Sequence, residues 1–254
     1  MSKIIAATIQ ARMGSSRLPG KVLKDILGKP MLLRQVERLK YSRLIDEIII
    51  ATTKSTKDDE IVEFCIKNKI KYFRGSEEDV LSRVCKVLEK FDIDIHIECH
   101  GDSPLIDFQI IDEYIAYFLK NQNYIDFLSN SIKTTYPPGT EFSIYKSSIL
   151  LKTNKIVQSD DKLREHAGYN ICRYPKKFKL KSLEAHSFQN FPNIFLEVDT
   201  AEDLIVIREI FNYFLSHKKT YFNLSEILSM LSKNKELIQI NNKVDRRWKK
   251  FRKN

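Results

Sequence analysis

Arg12, Arg17 and Lys21 lie close together in the run Gln10-Ala11-Arg12-Met13-Gly14-Ser15-Ser16-Arg17-Leu18-Pro19-Gly20-Lys21. The Gly and Ser residues between these cations let main-chain N–H groups turn toward a bound anion. Cations and amides together suit several phosphates at once. The candidates on the nucleotide side are therefore Gln10, Ala11, Arg12, Gly14, Ser15, Ser16, Arg17 and Lys21, and the expected ligand is a nucleoside triphosphate. The same residues also fit a plain turn with solvated cations. A Walker A loop is excluded: it needs four residues between its glycines and Ser or Thr after its lysine. Here five residues separate Gly14 from Gly20, and Val22 follows Lys21. The dinucleotide fingerprint Gly-x-Gly-x-x-Gly is missing as well.

Two further segments carry carboxylates. His100-Gly101-Asp102-Ser103-Pro104-Leu105-Ile106-Asp107 follows an apolar run. Asp102 there suits a divalent cation held against phosphate oxygens, or equally a turn cap ahead of Pro104; Asp107 reads as the cap of the next helix. In Leu196-Glu197-Val198-Asp199-Thr200-Ala201-Glu202-Asp203 an apolar strand is expected to run straight into a helix. Asp199 or Thr200 would then be its N-cap, with Asp203 closing a capping box.

Positioning these loops requires strands that end together. Apolar β-branched runs predict strands over 3–9, 47–52, 71–73, 93–99, 124–128, 141–145 and 178–183. Amphipathic spacing predicts helices over 30–40, 58–67, 76–91, 110–119, 160–172, 200–214 and 224–231, the third opened by a Ser76-Glu77-Glu78-Asp79 box. Such alternation argues for an α/β fold with a mostly parallel, doubly wound sheet, in which ligands collect at the carboxyl ends of the strands. Thr135-Tyr136-Pro137-Pro138-Gly139 reads as a turn-rich crossing over that end.

The chain has 254 residues, enough for one large domain, with 43% hydrophobic and 30% charged residues, ordinary for a globular protein. No apolar run reaches the roughly 18 residues of a membrane span, and no signal-peptide pattern opens the sequence. Cys65, Cys85, Cys99 and Cys172 form no CxxC pair and read as reduced, buried side chains, so a cytoplasmic location is expected. The net charge is +10, and Arg246, Arg247, Lys249, Lys250, Arg252 and Lys253 crowd the last residues beside Trp248 and Phe251. Basic residues interleaved with aromatics can bind nucleic acid, but a solvated terminus is the preferred reading, and neither nucleic acid nor membrane is an expected partner.

The run from residue 9 to residue 23 resembles the signature of the spore coat polysaccharide biosynthesis protein F (SpsF) family, similar to the CMP-sugar synthetases for sialic acid and Kdo. The resemblance continues through Gly101-Asp102-Ser103-Pro104-Leu105-Ile106-Asp107 and Val198-Asp199-Thr200-Ala201-Glu202-Asp203-Leu204, where Ala201 replaces the usual Pro. It implies a Rossmann-like nucleotide-diphospho-sugar transferase (GT-A-like) fold: a mostly parallel sheet flanked by helices, with a small inserted lobe at about 130–190. On this reading residues 1–240 form a single nucleotidyltransferase domain and 241–254 a basic tail. The implied activity is Mg²⁺-dependent transfer of CMP from CTP to an acidic sugar or other small anionic acceptor, releasing pyrophosphate, in surface polysaccharide or glycan synthesis. Arg12, Lys21, Asp102 and Asp199 would be catalytic, Asp102 and Asp199 holding the metal. Arg74 and Arg83, in a family-like stretch, would line the base or ribose pocket. Glu141, and Arg164 and His166 in an Arg-Glu-His segment, would bind the acceptor. Ser143 and Phe195 depart from the family pattern on the acceptor side. A homodimer through the lobe is a further expectation. Alternatives are another nucleoside triphosphate, or a sugar 1-phosphate or phosphorylated metabolite as acceptor.

Overall fold

Every second side chain of the first strand is small enough, or apolar enough, to be sealed on either face. In the computed structural model, which describes residues 3–246 and Trp248, β1 (Ile5–Gln10) is accordingly central and almost wholly buried. The chain then alternates: α1 (Met31–Leu39), β2 (Glu47–Thr53), α2 (Asp59–Lys67), β3 (Lys71–Gly75), α3 (Val80–Lys90), β4 (Ile95–His100) and α4 (Phe108–Asn121). Its second half adds β5 (Phe127–Ser129), β6 (Ser143–Lys146), α5 (Ser147–Ile156), α6 (Tyr169–Cys172), β7 (Leu180–Ser182), α7 (Ala201–Ser216), α8 (Leu224–Lys233) and α9 (Lys235–Asn241).

The strands form one seven-stranded sheet in the order β3-β2-β1-β4-β6-β5-β7. β1 pairs parallel with β2 on one side and β4 on the other, and β6 is antiparallel to both β4 and β5. The chain turns outward from β1 in both directions, so the loops leaving β1 and β4 emerge side by side at a switch point. Segments of the 130–190 region thus extend the main sheet through β6 and β7. One face packs Ala7, Ile9, Ile50 and Ile97 against α1, α2, α4, α7 and α8; the other packs Ala6, Ile49 and Ala51 against α3, α5 and α6. The expected doubly wound α/β architecture is the observed one.

Several local expectations are corrected. The helix expected over 160–172 is a 3-10 turn at Lys162–Glu165 followed by the short α6, because His166 between them is extended. The helix of this region is instead α5, whose mixed polar and apolar run gave little period to read. Residues 196–198 form no strand; the chain bends at Glu197, with Leu196 N–H donating to Pro138 O and Val198 N–H to Asp102 O. α3 is capped by Asp79, which accepts from Ser82 N–H, and not by Ser76. α9 falls where no helix was expected.

Candidate active site

Two glycines set the site's geometry. A Cβ at Gly101 would stand 2.6 Å from Gln10 O, so only glycine lets the chain leaving β4 cross directly over the end of β1. Gly139 has φ +98° and lies against the 196–197 backbone, where a Cβ would stand 2.2 Å from Glu197 N. From below, Gln35 donates to His100 O, and the buried Arg38 donates to Ile106 O, Leu105 O and Phe222 O. Asp107 caps α4 at Gln109 N–H, as expected, and also accepts from Leu224 N–H. The loop carrying Asp102 is thereby fixed on both sides.

The three loops meet at Lys21. Its Nζ lies 3.2 Å from Asp102 Oδ2, 2.9 Å from Asp199 Oδ1 and 2.9 Å from Val198 O. Arg17 Nη2 lies 2.5 Å from Asp199 Oδ2. Burial works against the Lys21 charge, but the attraction of Asp102 and Asp199 outweighs it and holds the ammonium above its ordinary range. Burial likewise opposes the Asp102 charge, and Lys21 with His100 more than offsets it, so that carboxyl titrates below its usual range. Four of the predicted residues, Arg17, Lys21, Asp102 and Asp199, are thus one ion cluster. Thr200 and Asp203 form the expected capping box of α7, and Asp203 Oδ2 also accepts from Asp199 N–H at 2.9 Å.

The rest of the first loop is closed on itself. Gly20 N–H donates to Met13 O, Lys21 N–H to Leu18 O, and Leu18 N–H lies 3.4 Å from Ser15 Oγ. Met13 N–H donates to Asp58, which also accepts the Thr53 hydroxyl. Ala11 is buried, with its N–H directed to Ala51 O. Arg12, Gly14 and Ser16 are exposed. Arg12 stands 3.9 Å from Glu77, and both side chains are about half exposed. Beneath it Arg83 is buried and donates to Ser76 O; burial, with the nearby Arg12 charge, pushes it down to about 10. Arg74 spends its donors on Thr53 O, Ser55 O and Asp59, binding the end of β2 to β3.

On the expected acceptor side the residues part company. Arg164 is buried, and its guanidinium holds Asp79 at 2.9 Å, Asn154 Oδ1 at 2.6 Å and Val157 O at 3.2 Å. These contacts tie α3 to α5. His166 is partly exposed near Glu165, and its ring is pushed down by burial, with the His100 charge acting in the same direction. Glu141 accepts from Gly139 N–H at 2.6 Å. Gln10 is turned inward, its amide 2.7 Å from Glu98 Oε1.

Three buried side chains escaped the sequence reading. Glu98 accepts from Gln10, the Tyr145 hydroxyl and Gly168 N–H, anchoring the 163–168 segment to β4; its signal was an acid between Ile97 and Cys99. Glu197 is pushed up to about 8 by burial and the facing Glu141, against the pull of Trp248 and Arg246. Arg246, placed by sequence in a solvated tail, is only 2% exposed and bonded to Asp203. Trp248 donates to Glu197 at 2.7 Å. The other members of the basic cluster (Arg247, Lys249, Lys250, Arg252 and Lys253, with Phe251) lie outside the described residues. Among the described residues no helix is long and apolar enough to cross a membrane.

A doubly wound sheet with a cation-rich loop and two carboxylates at its switch point defines a nucleotidyltransferase. The sequence profile of the cytidylyltransferase family matches residues 6–243, and the chain belongs to that family. It is 32% identical over 231 residues to the spore coat polysaccharide biosynthesis protein SpsF of Bacillus subtilis, covering 89% of this chain and 93% of that protein. A cytidylyltransferase structure from Leptospira borgpetersenii superposes with a TM-score of 0.86 at 32% identity, over 94% of this chain and 98% of that one. The fold is shared with CMP:2-keto-3-deoxy-manno-octonic acid synthetase solved with CTP, at a TM-score of 0.61 and 18% identity, over 83% of this chain and 99% of the synthetase.

Proposed function

We propose that the protein transfers CMP from CTP to an acidic sugar or related small anionic acceptor, releasing pyrophosphate, in surface polysaccharide or glycan synthesis. The observation that carries this reading is the convergence of Asp102, Asp199 and the Val198 carbonyl on one cation, the Lys21 ammonium, at 2.9 to 3.2 Å. An all-oxygen donor set that already surrounds a positive charge fits Mg²⁺, with Asp102 and Asp199 as its protein ligands. Bound there, Mg²⁺ would neutralise charge on the phosphate oxygens.

The chain's own residues do the remaining work. Arg12, exposed at the loop tip, meets the incoming triphosphate, and Arg17 and Lys21 exchange their carboxylate partners for phosphate oxygens. Charge that develops on the α-phosphoryl and the departing pyrophosphate is met by these cations, so catalysis is positioning plus electrostatics. Arg74 and Arg83 border the base or ribose of the nucleotide. Gly14, Ser15 and Ser16 keep the loop narrow enough for close phosphate approach. His166 and Glu141, with Arg164 behind them, are the acceptor-side candidates; burial holds the His166 ring below its usual range, so the neutral imidazole is fit to accept a proton from an attacking hydroxyl. The reading includes a cytoplasmic, single-domain enzyme whose 130–190 region receives the acceptor and forms a dimer contact.

Asp102→Asn tests it. The variant keeps the fold and the hydrogen bond to Ser103 but removes a charge, so Mg²⁺-dependent pyrophosphate release from CTP should fall at least 100-fold. Unchanged turnover would remove Asp102 from the centre.

A further inference from the structure

The last described turn of the chain reaches back into the nucleotide side. Asp203 is completely buried, and its Oδ2 accepts from the N–H groups of Asp199 and Thr200, each at 2.9 Å. The backbone turn that presents Asp199 therefore hangs on one buried carboxylate. That carboxylate is neutralised from the far end of the sequence: Arg246 Nη2 stands 2.7 Å from Asp203 Oδ1 and Nη1 3.0 Å from Oδ2. This is the two-pronged arrangement in which a guanidinium fixes both position and plane of a carboxylate. Asn241 adds a third bond to Asp203 Oδ1 at 2.8 Å. The Arg246 guanidinium lies 4.4 Å over the Phe195 ring and 3.3 Å from Glu197, so it is clamped from the side as well.

The neighbouring residue grips the other wall. Asp245 O accepts from Arg17 Nη1 at 2.8 Å, and the same Arg17 holds Asp199 through Nη2. Asp245 and Arg246 thus touch, one residue apart, both the cation loop after β1 and the turn before α7. We infer that Arg246 is a positioning residue for nucleotide binding: through Asp203 and the adjoining Asp245 carbonyl it fixes where Asp199 and Arg17 meet the triphosphate. The inference rests on the proposed roles of Asp199 and Arg17. A guanidinium that served only to stabilise the fold would need neither a bond to the carboxylate that holds the Asp199 turn nor the neighbouring grip on Arg17.

The test compares wild type, Arg246→Ala, Arg246→Lys and Leu231→Ala, the last a cavity at a buried α8 side chain that bonds to none of these residues. CTP affinity is measured by titration calorimetry with Mg²⁺, and kcat and KM for CTP by pyrophosphate release, all at a temperature where near-UV dichroism shows each variant folded. Arg246→Ala should lose at least tenfold in CTP affinity and in kcat/KM, with Arg246→Lys recovering part of the loss. Leu231→Ala, though less stable, should match wild type. Wild-type CTP affinity in both Arg246 variants, with only a lowered melting temperature, would overturn the inference and leave the proposed function intact. Failure of the wild type itself to bind CTP would overturn the proposed function and this inference with it. If Arg246→Ala does not fold, the conservative Arg246→Lys decides, since loss of the second prong alone should weaken CTP measurably; unchanged affinity there overturns the inference.

Discussion

His96 lies fully buried in β4, its Nε2 2.7 Å from the Thr8 hydroxyl and its ring edge-on to Tyr145. Burial dominates its titration and the nearby Glu98 opposes it only in part, so the imidazole is pushed down from 6.5 to about 4. An unfolded chain therefore binds a proton at this residue between those two values while the folded chain does not. Stability is unaffected above pH 6.5 and is lost as pH falls toward 4. The slope follows from linkage: the whole shift corresponds to roughly 3 kcal/mol, and about 2 kcal/mol of it is lost between pH 7 and pH 5. Urea unfolding of wild type and His96→Asn at both pH values isolates this contribution, because the carboxylates common to both proteins cancel in the difference. The gap between the two should shift by about 2 kcal/mol in favour of the variant on going to pH 5. A gap that stays constant across that interval would refute the argument that burial alone keeps this imidazole neutral.

Three other perturbations follow from the same contacts. Lys21→Met removes the cation shared by Asp102 and Asp199, so turnover should fall at least 100-fold. Nucleotide-free protein should meanwhile bind Mn²⁺ more tightly by electron paramagnetic titration; unaltered Mn²⁺ binding would contradict a shared cation position. Gly139→Ala places a Cβ on the 196–197 backbone at positive φ, and should cost about 2 kcal/mol or more in thermal unfolding, the opposite outcome being a neutral melting curve. Arg164→Ala breaks a largely buried pair with the half-open Asp79 and should destabilise by about 2 kcal/mol in urea unfolding, with the KM for acceptor little changed. A raised acceptor KM at unchanged stability would instead put Arg164 in contact with the acceptor.

The parallel half of the sheet was legible because β1 and β2 are mostly apolar runs and β4 alternates Ile95, Ile97 and Cys99 with polar residues, with amphipathic helices between them. The ion cluster was legible only through the family resemblance of the segments that carry Lys21, Asp102 and Asp199, since spacing alone left Asp102 as a turn cap and Asp199 as a helix cap. Residues 147–172 were misread since the apolar spacing of α5 is weak, while 160–172 contains helix formers interrupted by an extended His166 and the close approach of Gly168 to Glu98. Arg164 shows what a motif leaves unseen. Its neighbour Asp79, 85 positions away, is supplied by the fold alone. Arg246 illustrates the same point, since charge density at a chain end reads as solvation until a buried acid such as Asp203 is known to await it.

Pyrophosphate release from CTP, UTP, GTP and ATP with Mg²⁺, each against acidic sugars, sugar phosphates and small phosphorylated metabolites, tests the central claim most directly. Release that requires CTP together with one class of anionic acceptor is the expected result. Release with another nucleotide at equal or greater rate, or none from CTP with any acceptor despite tight nucleotide binding, would contradict it.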